Sequence, residues 1–329
     1  MSALCLLPAV SKADAVPFGA ASAYNLVALG TVDSNGNTVL AGTIATNADI
    51  GGRVAAADQV LLGTTLGSAL VTDPFASQAT YALVSPNGLP AGQSFNINGG
   101  GNVFAPGSSA NINFNNGGSL VTTGSSGINF STLRSTLDAE SVLLSGLTSN
   151  GVTGAPTPSG GNPSWLVLQG NSATLNVFTI TAAQFADTNH PIDIEAPTGS
   201  TVLINVLGSN LTLGTGIYYN GVQYAGDSTN TQDILFNFAS ATNVAINAQF
   251  SASLLAPFAV LTGNGQMDGN FIAAQIGQTG EVHNIEFDGN LPGGSTSITV
   301  TPEPSSLVLL GTGMLSMAAL FRKGFRPRA

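Results

Sequence analysis

The densest group of residues able to do acid–base or metal chemistry is Glu281, His283, Glu286 and Asp288. A carboxylate beside an imidazole is a minimal unit for proton transfer and, with further ligands, for holding a divalent metal. Strand alternation puts Glu281 and His283 on one face and Glu286 and Asp288 on the other, which divides the group unless a bulge intervenes. The expectation is a capping strand with a polar outer side, its apolar contacts supplied by Val282, Ile285 and Phe287. A second set, His190, Asp193 and Glu195, surrounds Pro191 and reads as a loop entering a strand. Asp268 and Asp288 each open an Asp-Gly-Asn tripeptide, whose oxygens suit Ca²⁺ but whose commoner use is a turn. The sequence holds no Gly-x-Ser-x-Gly, no His-Glu-x-x-His, no phosphate-binding loop and no cysteine pair. No catalytic residue, metal or cofactor is therefore expected.

These side chains must be carried by strands. Short runs of Val, Ile, Leu and Phe recur between Gly, Asn, Ser and Thr clusters: Tyr24–Gly30, Thr38–Ile44, Gln59–Leu62, Ser172–Thr181 and Thr201–Val206. Asp233–Phe238, Asn243–Phe250, Leu254–Thr262 and Asn270–Ile276 continue the series. Asn96-Ile97-Asn98, Asn111-Ile112-Asn113-Phe114 and Ile128-Asn129-Phe130 echo one another at 15 or 16 residues. Such a period suggests stacked coils. The expected fold is mainly β, a right-handed β-solenoid over residues 16–292, with an antiparallel sandwich as the alternative.

One segment departs from this texture. Over residues 130–148, Phe130, Leu133, Leu137, Val142 and Leu144 fall near helical spacing, with Arg134, Asp138 and Glu140 between them. Ser149-Asn150-Gly151 supplies a stop. One flanking α-helix is expected there, followed by a Pro/Gly-rich surface loop over Gly154–Ser164.

Charge narrows the function classes. Residues 16–301 carry fifteen acidic side chains and only Arg53 and Arg134 as cations, a formal net charge of −13. Nothing here could neutralise a phosphate backbone, so nucleic acid is excluded as a partner. A polysaccharide-acting enzyme on a β-helix is the rival reading, but a lyase acting on acidic polysaccharide favours basic residues, and only Arg53 and Arg134 are available. Solubility must come from Asn, Ser, Thr, Gly and the excess of negative charge.

The two ends carry addresses. Ala3–Val10 is a short apolar run followed by Ala13-Asp14-Ala15, a small-x-small pattern, so residues 1–15 read as a signal peptide cut near Ala13 and Ala15. No basic residue precedes that run, which points to a misplaced start or a missing N-terminus. Cys5, the only cysteine, would leave with it, so the mature chain has no disulfide. After a linker at 293–301 come Pro302, Glu303 and Pro304, an apolar stretch over 305–321, and then Arg322, Lys323, Arg326 and Arg328. Seventeen helical residues span roughly 25 Å, slightly short of the roughly 30 Å hydrocarbon core. The basic cluster keeps that end cytoplasmic and puts everything before Ser305 outside. The two prolines hold the preceding peptide extended and accessible.

This tripartite tail resembles a PEP-CTERM sorting signal. The resemblance implies an exosortase-type processing enzyme as partner, passage through the inner membrane of a Gram-negative bacterium, and a final place on the cell surface or in the extracellular matrix. The body is similar to the choice-of-anchor A domain through Ser22–Gly30, Gly42–Gly52, Ala173–Ile180, Ser200–Val206, Asp233–Phe238, Ala252–Pro257 and Gly280–Pro292. Its order of elements also resembles the bacterial ice-binding β-solenoid with its flanking helix. Neither family transfers a catalytic residue here. The function expected is a non-catalytic adhesive or biofilm-structural protein that contacts exopolysaccharide or like copies of itself. Ice binding would need a flat face of repeated Thr, which Thr64-Thr65 and Thr122-Thr123 do not form.

Overall fold

A strand buried on both faces reads as an unbroken apolar run, and the longest runs of this chain become the strands of one wide parallel sheet. The structure is a computed structural model that describes residues 17–68, 70, 81–154, 165–226 and 228–292. These belong to one unit spanning Asp14–Ser295.

The first half of the chain supplies β1 (Leu26–Ala28), a hairpin of β2 (Thr31–Val32) and β3 (Thr38–Leu40), β4 (Val54–Ala56) and β5 (Thr65–Leu66). Then come β6 (Tyr81–Val84), β7 (Ser94–Ile97), β8 (Asn102–Phe104), β9 (Asn111–Phe114), β10 (Leu120–Val121) and helix α1 (Phe130–Ser145). The second half opens with β11 (Val152–Thr153), β12 (Leu166–Gln169), β13 (Leu175–Thr181), helix α2 (Ala182–Phe185), β14 (Ile192–Glu195) and β15 (Thr201–Leu207). It continues through β16 (Asn210–Leu213), β17 (Ile217–Tyr219), β18 (Ile234–Asn237), β19 (Asn243–Ile246) and β20 (Phe250–Ser251). It closes on β21 (Ser253–Gly263), β22 (Met267–Asp268), β23 (Phe271–Ile276) and β24 (Val282–His283).

Parallel pairing stacks these strands into solenoid-like coils with three faces. The wide sheet has the order β10-β8-β6-β4-β1-β23-β21-β18-β15-β13. A second face runs from β16 through β19, the end of β21 and Ile276 to Ile44 and Val60. A third holds β12-β14-β17 in one part and β20-β22-β24, Ile50, β5, β7 and β9 in the other. The order is not the order of the chain. β1 sits mid-sheet, pairing β4 on one side and β23 on the other. The first half winds outward from the middle to β10, and the second half winds back from β13 to meet β1.

Two asparagines lock that seam. Asn25 Nδ2 donates to the Gly269 carbonyl (3.1 Å) and the His283 carbonyl (3.2 Å), while its Oδ1 accepts from the Arg53 amide (3.2 Å). Asn270 Nδ2 donates to the carbonyls of Ser22 (3.0 Å) and Tyr24 (2.8 Å), and its Oδ1 accepts from the Phe287 amide (2.6 Å). Both side chains are fully buried, so every polar atom must find such a partner.

The wide sheet separates two cores. Leu26, Val54, Val103, Ile204, Phe236, Leu254 and Phe271 fill the interior of the coils. Val27, Ala55, Leu203, Leu235, Leu255 and Ile272 point the other way, against Leu133, Leu137 and Leu144 of α1 and against Phe18 and Phe287. Strands of the other faces have one wet side and alternate, as in the Asn-Leu-Thr-Leu of β16.

Several expectations need correction. The echoes at 15 or 16 residues are not the register: Phe95 pairs Ile112 and Ile97 pairs Phe114, a step of 17. The third echo is no coil, because Asn129 caps α1, its Oδ1 accepting from the Thr132 amide (3.1 Å). The helix ends at Ser145, with Gly146 as its cap, rather than at 148. Val142 is exposed while Glu140 and Ser141 are buried, since the inner stripe runs 133, 137, 140/141 and 144. A second helix, α2, is present, set by a Thr181–Gln184 capping box. Thr38–Ile44 is no single strand: Thr38–Leu40 forms half of a hairpin, and Ile44 bridges two other coils. The signal segment, residues 155–164 of the expected loop, the linker and the tail with its helix over 305–321 lie outside the described residues. Among the described residues no helix is long and apolar enough to cross a membrane.

Candidate functional site

Strand alternation holds for Glu281 and His283, which share a side, but Glu286 and Asp288, expected together on the other face, part: Glu286 is buried and Asp288 exposed. β24 spans only Val282–His283, and Glu281 Oε1 lies 3.7 Å from His283 Nε2 on the same side. Asp288 instead accepts from Gln232 Nε2 (3.1 Å). Glu286 turns inward and is buried, as is Arg53. Burial pushes the Glu286 carboxyl up to about 7 against the opposing pull of the Arg53 charge.

Sequence reasoning missed the partner of His283. The next coil brings Asp268 beside it, and the imidazole Nδ1 hydrogen-bonds to Asp268 Oδ1. Gln266 Nε2 lies 3.2 Å from His283 Nε2. The imidazole therefore sits between the Gln266 amide and the Asp268 carboxylate. Ser251 donates to the other oxygen of the same carboxylate (2.6 Å). The acid is central in this Ser–Asp–His chain, whereas nucleophile activation needs the imidazole there. Asp268 and Asn270 are both consumed by internal hydrogen bonds, so the first Asp-Gly-Asn is a joint in the stack. Among the described residues no three His, Cys, Asp or Glu converge as a metal group.

His190 does not join Asp193 and Glu195; it contacts Asp187 (2.7 Å) at the surface. Asp193 is buried, its Oδ1 accepting from the Gly221 amide (3.0 Å). Burial pushes both the Asp193 and Glu195 carboxyls upward, and the Asp193 charge raises Glu195 further. Outward from the same sheet, Trp165 packs on Tyr218 with ring centroids 4.3 Å apart. A cleft of about 420 Å³ opens between the β2–β3 hairpin and the start of α1, with Asp58 and Arg134 in its lining. Asp58 is tied to the Asn87 amide there.

What the coils do present, repeatedly, is amide. Asn113 Nδ2 donates to Asn96 Oδ1 (2.9 Å) and Asn115 Nδ2 to Asn98 Oδ1 (2.6 Å) on one exposed face. On another, Asn243 Nδ2 donates to Asn210 Oδ1 (2.8 Å), beside a Ser209–Thr242 hydroxyl pair (2.9 Å). Cross-coil bonding fixes these side chains at the roughly 4.8 Å strand spacing, a preformed row of neutral donors and acceptors. The Asn-x-Asn echoes were the visible trace of the first row.

A family model described as "Putative Ice-binding-like adhesive domain" matches residues 17–284. The chain belongs to this adhesive-domain family. The PEP-CTERM protein-sorting motif matches residues 300–323, the segment whose resemblance to that signal the sequence carries. No curated protein matches the chain. An adhesive-family body joined to a sorting signal makes this an exported surface protein, with an exosortase-type enzyme as its processing partner.

Proposed function

We propose that the chain is a non-catalytic adhesin, retained at the cell surface or in an exopolysaccharide matrix after its tail is processed at the membrane. The observation that carries this reading is the adhesive-family match over the same coils that bear the exposed asparagine rows. Neutral amides and hydroxyls can hydrogen-bond sugar without a cationic site, and residues 16–301 offer only Arg53 and Arg134 as cations. The choice-of-anchor A likeness of the same residues fits an extracellular module carried by an interchangeable anchor. Deleting the chain is expected to weaken surface attachment and cell aggregation, with the intact chain restoring both. Unchanged matrix, aggregation and attachment would sink the proposal.

The rival, a polysaccharide-acting enzyme, has one place to stand: the Asp193 and Glu195 carboxyls, with Trp165 and Tyr218 on the same sheet. Steady release of reducing ends from native matrix, abolished by Asp193→Asn, would favour it. Ice binding draws on the family's name and the order of elements, but Thr212 and Thr262 are separated across the β16–β19–β21 face by Ala245.

A further inference from the structure

The two ends of the coil stack are finished differently. At the end occupied by the first strands of the second half, each outermost strand is covered. β11 runs antiparallel along β12. Asn150 grips the free side of β13, its Oδ1 accepting from the Val177 amide (2.7 Å), its backbone N–H donating to the Val177 carbonyl (3.1 Å) and its Nδ2 to the Leu175 carbonyl (2.9 Å). Helix α2 packs against β13 and β16 and buries Phe185.

At the opposite end nothing comparable is present among the described residues. β9 pairs with β7 alone and β10 with β8 alone. Residues 115–120 are all exposed, and Ile112, Phe114 and Val121 are only half-buried. Each last-rung asparagine, Asn113 and Asn115, donates back to the coil beneath, which leaves its amide oxygen facing outward as an acceptor. Soluble proteins blunt such edges with lysines, inward-pointing charges or a covering loop. Among the described residues none of these is used. Between Asp73 and Arg134 the sequence contains no Asp, Glu, Lys, Arg or His, in a body of net charge −13. Charge repulsion therefore opposes contact between copies elsewhere on the molecule and is absent at this end.

We propose that the open end is a docking surface for a second copy of the chain, with β9 and β10 of one copy laid against the same strands of the other across a two-fold axis. The contact is isologous, so it closes at two copies. A head-to-tail filament is barred because β11, Asn150 and α2 already cover the other end. This inference stands apart from the adhesive reading, since an adhesin that stays monomeric would lose only the present proposal.

The test uses the full chain held in detergent, with its mass measured by sedimentation equilibrium. The expected result is a dimer that falls to monomer mass in Asn113→Lys/Ser119→Lys, with the thermal transition unchanged. Asn243→Lys, on another face, should remain dimeric. A monomeric parent, or a dimer that survives both lysines, overturns the proposal. The lysine variants keep the apolar tail, so association through the tail would persist in them and count against it. Should they fail to fold, Asn113→Cys in a Cys5→Ser background, treated with a bis-maleimide, must link two copies. Thr212→Cys in that background must not. No link through Asn113→Cys overturns the proposal equally.

Discussion

Glu140 lies on the buried side of α1, and neither of its carboxylate oxygens has a hydrogen-bond partner. Burial alone raises its pKa from 4.5 to about 7. Between those values the folded chain keeps a proton that the unfolded chain releases, so stability falls as pH rises from about 4.5 to about 7. A shift of that size corresponds to roughly 3 kcal/mol. Glu140→Gln is therefore expected to raise the melting temperature at pH 8 and to leave it nearly unchanged at pH 4. Thermal unfolding at the two pH values checks this; an equal gain at both would show that charge burial is not the cause. Glu286 is pushed up to about 7 as well, but the Arg53 charge opposes that shift, so Glu286→Gln would also remove an attraction to a buried cation. In the sequence Glu140 reads as a charge between apolar positions. Its inward placement depends on a helical phase that the exposed Val142 shows the apolar pattern alone did not settle.

At the level of elements, α1 is held to the wide sheet by hydrogen bonds as well as by leucines. Asn237 Nδ2 donates to the Ser141 carbonyl and to Asn205 Oδ1, both at 2.9 Å. Asn237 Oδ1 accepts from the Ser141 hydroxyl (2.5 Å), and Asn205 Nδ2 donates to the Leu144 carbonyl (3.0 Å). All four contacts are buried, so this network fixes where along the sheet the helix sits. Asn237→Ala strands the Ser141 groups and Asn205 Oδ1, and is expected to cost about 1–3 kcal/mol in a denaturant titration. Loss of under about 0.5 kcal/mol would mean that apolar packing alone positions the helix. That a helix occupies this segment was legible from its 3.6-residue spacing; its end was not, since Gly146 caps it ahead of the Asn150-Gly151 pair. The network was not, because Asn205 and Asn237 look like ordinary polar positions in strands that come much later in the chain.

At the scale of the whole molecule, the pairing of β1 with β23 makes the middle of the stack the meeting place of both chain halves. Strands paired on both sides and buried on both faces open only with the global transition, whereas singly paired end strands fray. Hydrogen exchange in dilute solution is expected to be slowest in β21, β23 and β1 and fastest in β9 and β10. A seam that exchanges before the β9–β10 end would show that the halves are separate folding units. Mainly-β texture, a stacked-coil architecture, one flanking helix and the sorting tail could be read from residue order, because each is a local pattern of apolar spacing, turn residues or charge. The step of 17, the insertion of β1 between β4 and β23, the Asp268–His283 contact and the bare end at β9 and β10 could not. Each depends on which coil stacks on which, a relation between residues a full coil or more apart in sequence. Only burying the two sides of one sheet at once, inside the coils and under the helix, selects which distant strands become neighbours.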